Sequence, residues 1–257
     1  MGLFDFLGGG SDKGLKKHAS RVADKRAQAP DRAESIRHLA NLKNAGAVEA
    51  LLVRFSYKVD PSIIDQEEKE DVFNAIVDSG ADVALEPVRA YFRNPSRSVN
   101  WAIKILAHLV STDELVDEIL EVLAGMDVEY TRDPERKQQL IAALEDMRSP
   151  KIAPAVVRFL EDVNETSRFH AVGALLGQQA RDGDPAAGSS GADQPNVLAV
   201  LAARLPVEES VRVKVRIADG LAEAGYVYEP GAARESAAKA LPTDFAIDRE
   251  GRVTRKK

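Results

Sequence analysis

The sequence has no cysteine, so disulfides, thiolate metal sites and cysteine nucleophiles are excluded, and a reducing cytoplasm suits the chain. Aromatics make up only 5% of its 257 residues, with one tryptophan, which disfavours a strand-rich sandwich. No apolar run approaches the ~20 residues needed to span a bilayer. Net basic charge is missing as well. A formal charge of -6 argues against a general nucleic-acid binder, because neutralising phosphates needs a basic surface or groove. The segment MGLFDFLGGG has neither the basic leader nor the cleavage site of a secretory signal, and Phe6 replaces the Ser or Thr of a myristoylation motif.

What is present is apolar residues at helical spacing, repeated along the chain. Lys137 to Asp162 shows the unit. Leu140, Ile141, Leu144 and Met147 share one face, Ser149-Pro150 breaks the helix, and Ile152, Val156, Val157 and Leu160 form a second stripe. One hairpin cannot bury both stripes, so each pair needs a neighbour of the same design. Earlier pairs read the same way. Ile36, Leu39 and Leu42 precede Val48, Leu51, Leu52 and Phe55, with the break expected at Gly46. Val72, Phe73, Ile76 and Val77 precede Gly80 and then Val83, Leu85, Val88 and Phe92. Val99, Ile103, Leu106 and Leu109 precede a capping Ser111-Thr112-Asp113 and then Leu115, Ile119, Leu120 and Leu123. The fifth pair starts in SRFHAVGALLGQ, is interrupted by a Gly-, Pro- and Ser-rich insertion over 178–196, and resumes with Val197, Leu198, Leu201 and Leu205. SVRVKVRIADGLAEAG is a sixth first helix, closed by Gly225. The acidic stretch DPSIIDQEEKED reads as a solvated loop or a helix start. Residues 231–240 read as a weak Ala-rich helix, and FAIDREGRVTRKK as a hairpin around Glu250-Gly251.

One local pattern puts the pairs in register. Arg54, Arg89, Arg158 and Arg204 each occupy the same point of a second helix, with Glu121 at that point of the third, at a period of about 35 residues. The pattern resembles HEAT-type repeats. SRFHAVGALLGQ and SVRVKVRIADGLAEAG are similar to the first helix of the bacterial HEAT-like class that includes the phycobilin lyase repeats. Pairs one to three lack that class's Asp-Val-Arg signature, and the fifth carries the insertion. The resemblance covers roughly residues 31–228. It implies an all-α fold, an α-solenoid of about five to six antiparallel pairs, with a flexible apolar tip and basic helix over 1–30 and a short helix plus hairpin over 229–257.

The implied function is a non-enzymatic, cytoplasmic, bacterial-type scaffold or adaptor that binds a protein partner. No catalytic, metal or cofactor residues can be nominated. The histidines, His18, His38, His108 and His170, are scattered without metal-ligand spacing, and Asp182 and Asp184 supply only half of a calcium loop. Trp101 reads as inter-helix packing rather than a ligand anchor. The candidate partner-binding residues are Arg54, Arg89, Glu121, Arg158 and Arg204, which repetition would place on one surface facing an acidic helix or peptide. The competing reading makes them surface residues in local ion pairs of ~0.3–0.5 kcal/mol. A second candidate is a docking tip, Leu3, Phe4, Phe6 and Leu7, beside a basic helix, suited to a protein or to weak membrane contact through residues 1–28. The alternatives are nucleic-acid binding through the basic ends and a HEAT-like lyase or repair enzyme.

Overall fold

The computed structural model describes residues 13–179 and 196–256, and among these the chain forms thirteen α-helices and one two-stranded sheet. The tip residues Leu3, Phe4, Phe6 and Leu7 and most of the 178–196 insertion lie outside the described residues. The helices fall into two compact units, the first ending at Leu115 and the second starting at Val116.

Unit 1 opens with α1 (Lys13–Ala23), α2 (Ala29–Leu42) and α3 (Ala45–Leu52), the last followed by a short 3-10 turn over Val53–Ser56. It continues through α4 (Ser62–Val77), α5 (Ala81–Arg93) and α6 (Asn100–Leu109). The chain then enters α7 (Thr112–Ala124), within which the two units meet in sequence. Alternate helices pack together: α2 on α4 and α4 on α6, α1 on α3 and α3 on α5. The reason is the one read from the stripes. Ile36 and Leu39 of α2, Val72 and Ile76 of α4, and Ile105 and Leu106 of α6 are all buried.

One expectation for this half is corrected, and one element is filled in. The basic helix is α1, which packs on α2 and α3 with Leu15, Ala19 and Val22 buried. It ends at Ala23, and Pro30 lies in the first turn of α2, where a missing N–H is harmless. The break of the first pair is not at Gly46, which lies inside α3. Lys43 takes the left-handed conformation (φ 45°), and the Asn44 side chain accepts from Ala47 N to cap α3. The acidic stretch takes its helix-start reading, as the first turns of α4.

Unit 2 contains α8 (Glu135–Ala143), α9 (Ile152–Val156) running into a 3-10 turn over Val157–Glu161, α10 (Glu165–Gly177), α11 (Val197–Arg204), α12 (Val211–Glu223) and α13 (Ala232–Ala240). Helix α8 packs on α10 and α10 on α12. Asn164, Asn196 and Ser210 cap α10, α11 and α12 with their side-chain oxygens. Each such cap contributes about 1 kcal/mol. The hairpin pairs β1 (Phe245–Ile247) with β2 (Val253–Arg255), antiparallel and with Ala246 opposite Thr254. Its turn uses Gly251 at φ 90°, where a Cβ would lie 2.4 Å from the Tyr228 carbonyl oxygen. β2 packs on α12, and Phe245 and Val253 are buried.

Candidate functional site

Three of the second-helix arginines, Arg54, Arg89 and Arg204, meet carboxylates of their own chain, and Arg158 meets a backbone carbonyl. Arg54 is fully buried, which removes it from any exposed row. Its Nε donates to Glu68 Oε2 at 2.7 Å and its Nη2 to Asp65 Oδ1 at 2.8 Å, and its guanidinium lies 4.6 Å from the Tyr57 ring. Arg89 pairs with Glu114 and Glu86. Glu121 is exposed. Arg158 is exposed, donates to the Leu123 carbonyl and lies over Phe159. Arg204 bonds Glu208 at 3.0 Å and Glu161 at 2.7 Å.

Behind this lies a repeated clamp that the arginine register only half revealed. Arg32, Lys137 and Arg168 each stand seven residues ahead of a buried leucine in a first helix or at its C-cap (Leu39, Leu144, Leu175). Each reaches a carbonyl of the loop before its own helix: Ala27, Asp127 and Asp162. Each also reaches a buried carboxylate in or just before the next first helix. Arg32 Nη2 lies 2.9 Å from Glu68 Oε1, Lys137 Nζ 2.5 Å from Asp162 Oδ2, and Arg168 Nη2 2.8 Å from Glu208 Oε1. At Glu68 and Glu208 a second-helix arginine, Arg54 or Arg204, closes the clamp from the other side. Burial alone would raise the Glu208 pKa. The Arg168 guanidinium, the Ser210 N–H and Arg204 outweigh it and hold the carboxyl at about 2. These are cohesive contacts, joining one helix pair to the next.

Half-exposed groups of a different kind sit on the first helices. In unit 2, Glu145 follows α8, Phe169 and His170 lie on α10, and Arg212 and Arg216 lie one turn apart on α12. Both guanidinium carbons lie over the Phe169 ring, at 3.8 Å for Arg212 and 4.1 Å for Arg216. Glu145 Oε1 meets His170 Nδ1 at 2.6 Å, and Glu145 Oε2 meets Arg216 Nη2 at 2.5 Å. Burial raises the Glu145 pKa, but the bonds to His170 and Arg216 more than offset it and the carboxyl is lowered on balance. The His170 contact joins Nδ1 to a carboxylate and fixes the ring's orientation. Gly173 makes room for this set, since a Cβ there would lie 2.2 Å from Arg216 Nη2 and 2.6 Å from Glu145 Oε2. At Gly177 a Cβ would lie 2.3 Å from the Glu145 carbonyl oxygen.

Unit 1 carries a related patch. Trp101 of α6 stacks on Phe55 at 5.0 Å and lies near Phe73 of α4, Lys104 Nζ sits 4.5 Å over the Trp101 ring, and His108 meets Phe73 edge-on. Trp101 therefore packs as expected and also remains half-exposed. His18 and His38 are 20 residues apart in sequence, yet α1 and α2 stack their rings at 3.9 Å, with His18 Nδ1 3.0 Å from Ser35 Oγ. At the C-terminal tail Arg252 is held by Asp248 and Glu250, and Arg255 by Asp219.

Among the described residues no group of three or more His, Asp or Glu is placed to hold a metal ion, and no helix is long and apolar enough to cross a membrane. No family model and no curated protein matches the sequence. A crystal structure of an engineered protein is similar over 89% of this chain and 61% of its own, with 15% sequence identity and a TM-score of 0.38. The chain thus spans under two thirds of that protein's length, and the likeness is too loose to place the fold.

Proposed function

We propose that this chain is a non-enzymatic protein-binding scaffold, built as a HEAT-like α-solenoid, whose partner lies along exposed faces of first helices. The observation that carries this reading is the recurrence, on first helices of both units, of half-exposed aromatics under cationic side chains: Trp101 with Lys104, and Phe169 with Arg212 and Arg216. Tryptophan and arginine dominate the energetics of protein interfaces because a large flat surface and a planar fork gain much contact for little lost freedom. Alternate-helix packing and the repeated clamp support the solenoid part, since both recur from pair to pair as stacked repeats require. The second-helix arginines act in this reading as fasteners within the stack.

The test is site-specific photocrosslinking from the full chain. A crosslinking amino acid replaces Arg37, Glu70 or Lys104 on first helices of unit 1, Glu165 or Arg212 in unit 2, and Glu49 or Glu86 on second helices, all exposed positions. The reading expects one and the same protein captured from several first-helix positions. Capture from Glu49 and Glu86 alone, or of nucleic acid in place of protein, overturns it.

A further inference from the structure

From the geometry of unit 2 we infer that Phe169, His170, Arg212 and Arg216 form a cradle for the carboxylate of an acidic segment of the partner protein, an inference that rests on the scaffold reading. Three observations lead there. The first is placement. Two guanidinium groups share one aromatic ring, so they stand within about 8 Å of each other, by adding their distances to its centroid. Two positive charges that close repel, and the chain stabilises only the inner one well. Arg216 has Glu145 at 2.5 Å and the Phe169 carbonyl at 2.9 Å.

The second is what remains for the outer one. Arg212 is exposed and its carboxylate neighbour Glu165, itself exposed, stands at 3.7 Å, too far for a good charge-assisted hydrogen bond. A guanidinium has five N–H donors in a fixed fork, and stacking on Phe169 restricts its plane. Exchange of Glu165 for a carboxylate of the partner would replace a loose pair by a close one at little ordering cost, because the fork is already held.

The third is the glycine. Gly173 lies inside α10, where glycine is disfavoured relative to alanine. The space it leaves is filled by Arg216 and Glu145, so local helix stability is forgone to keep these two groups against α10. Glu145 then serves as the support that orients both Arg216 and His170. A carboxylate is the group that this set already holds, with Glu145 on Arg216, so the outer fork of Arg212 is matched to a second one.

The experiment uses the full chain and a capped peptide of about ten alternating Glu and Ala residues, with the Gln-Ala peptide as control. Binding is followed by NMR through the arginine Nε–H and histidine ring signals. The expected result is that the Glu-Ala peptide, and not the Gln-Ala one, shifts Arg212, Arg216 and His170 signals. Arg212→Gln and Phe169→Leu should each weaken binding about fivefold or more, the scale of one lost surface ion pair, while Arg249→Gln at the exposed hairpin turn leaves it unchanged. Shifts spread evenly over all exposed basic side chains, or equal affinity in Arg212→Gln, overturn the cradle. So does tighter, Arg212-dependent binding of a phosphoserine peptide or duplex DNA of similar length, which would reassign the ligand. If the peptide fails while crosslinks from first helices still capture one protein, the cradle falls and the scaffold reading stands.

Discussion

Neutralising Glu68 should unfasten unit 1. Its carboxylate accepts from Arg32 Nε at 3.1 and 3.0 Å, from Arg32 Nη2 at 2.9 Å and from Arg54 Nε at 2.7 Å. The Glu68 and Arg32 side chains are 5% and 4% exposed and Arg54 is 0% exposed. Glu68→Gln keeps the shape and removes the charge, leaving two buried guanidinium groups with Asp65 as the remaining nearby carboxylate. Removing one member of a buried ion pair costs about 3–5 kcal/mol, because the other member stays desolvated without its counter-charge. The single tryptophan, Trp101, belongs to unit 1, so its fluorescence in urea reports this unit specifically. With an m-value of about 2 kcal/mol/M, the Trp101 midpoint should fall by about 2 M. Glu114→Gln supplies the contrast. Its partner is Arg89 and its side chain is 46% exposed, so the change should be under about 1 kcal/mol. Equal effects of the two substitutions would refute the claim that burial sets the strength of the clamp.

Other outcomes follow from the same contacts. Glu208 has a folded pKa of about 2 against an ordinary 4.5, so its contribution is complete above the unfolded value and is lost as pH falls through the folded one. The loss should reach about 3 kcal/mol between these limits, measured by acid titration of helicity, and Glu208→Gln should flatten that window. His18 is a base whose pKa is lowered by burial and then by His38, so unit 1 should lose stability as pH drops below the ordinary histidine value of 6.5, and His18→Gln should abolish the slope seen by Trp101 fluorescence. Gly220→Ala would place a Cβ 2.4 Å from both Leu176 methyls and should destabilise unit 2 by about 1–3 kcal/mol in thermal unfolding, despite alanine's better helix propensity.

Much of the fold was legible because it is local. Helical periodicity located the stripes of α2 through α12, Gly80 and Gly225 take positive φ at the breaks where they were read, and Glu250-Gly251 turns the hairpin. Charge was read less well. A run such as DQEEKED looks solvated because nothing nearby in sequence tells Glu68 that Arg32, on another helix, will reach it. Arg54 and Arg204 showed the right register, yet an arginine's long side chain turns inward as easily as outward, and only the packed neighbours decide. The cradle was missed for the same reason. Glu145 and Arg216 are 71 residues apart, and the one available signal was Gly173 inside a helix, an unfavourable choice whose beneficiary lies on another element.

The C-terminal hairpin has a bearing on solubility. Helix α12 carries an apolar flank that would otherwise be open to a second molecule, and the two short strands that pack on it cover that flank like a lid. Here Phe245 and Val253 go under the lid, Tyr228 anchors it by donating to the Ala202 carbonyl, and Arg255 ties its rim to Asp219. A chain cut after Ala240 should therefore self-associate through this flank, with a sedimentation coefficient that climbs with concentration.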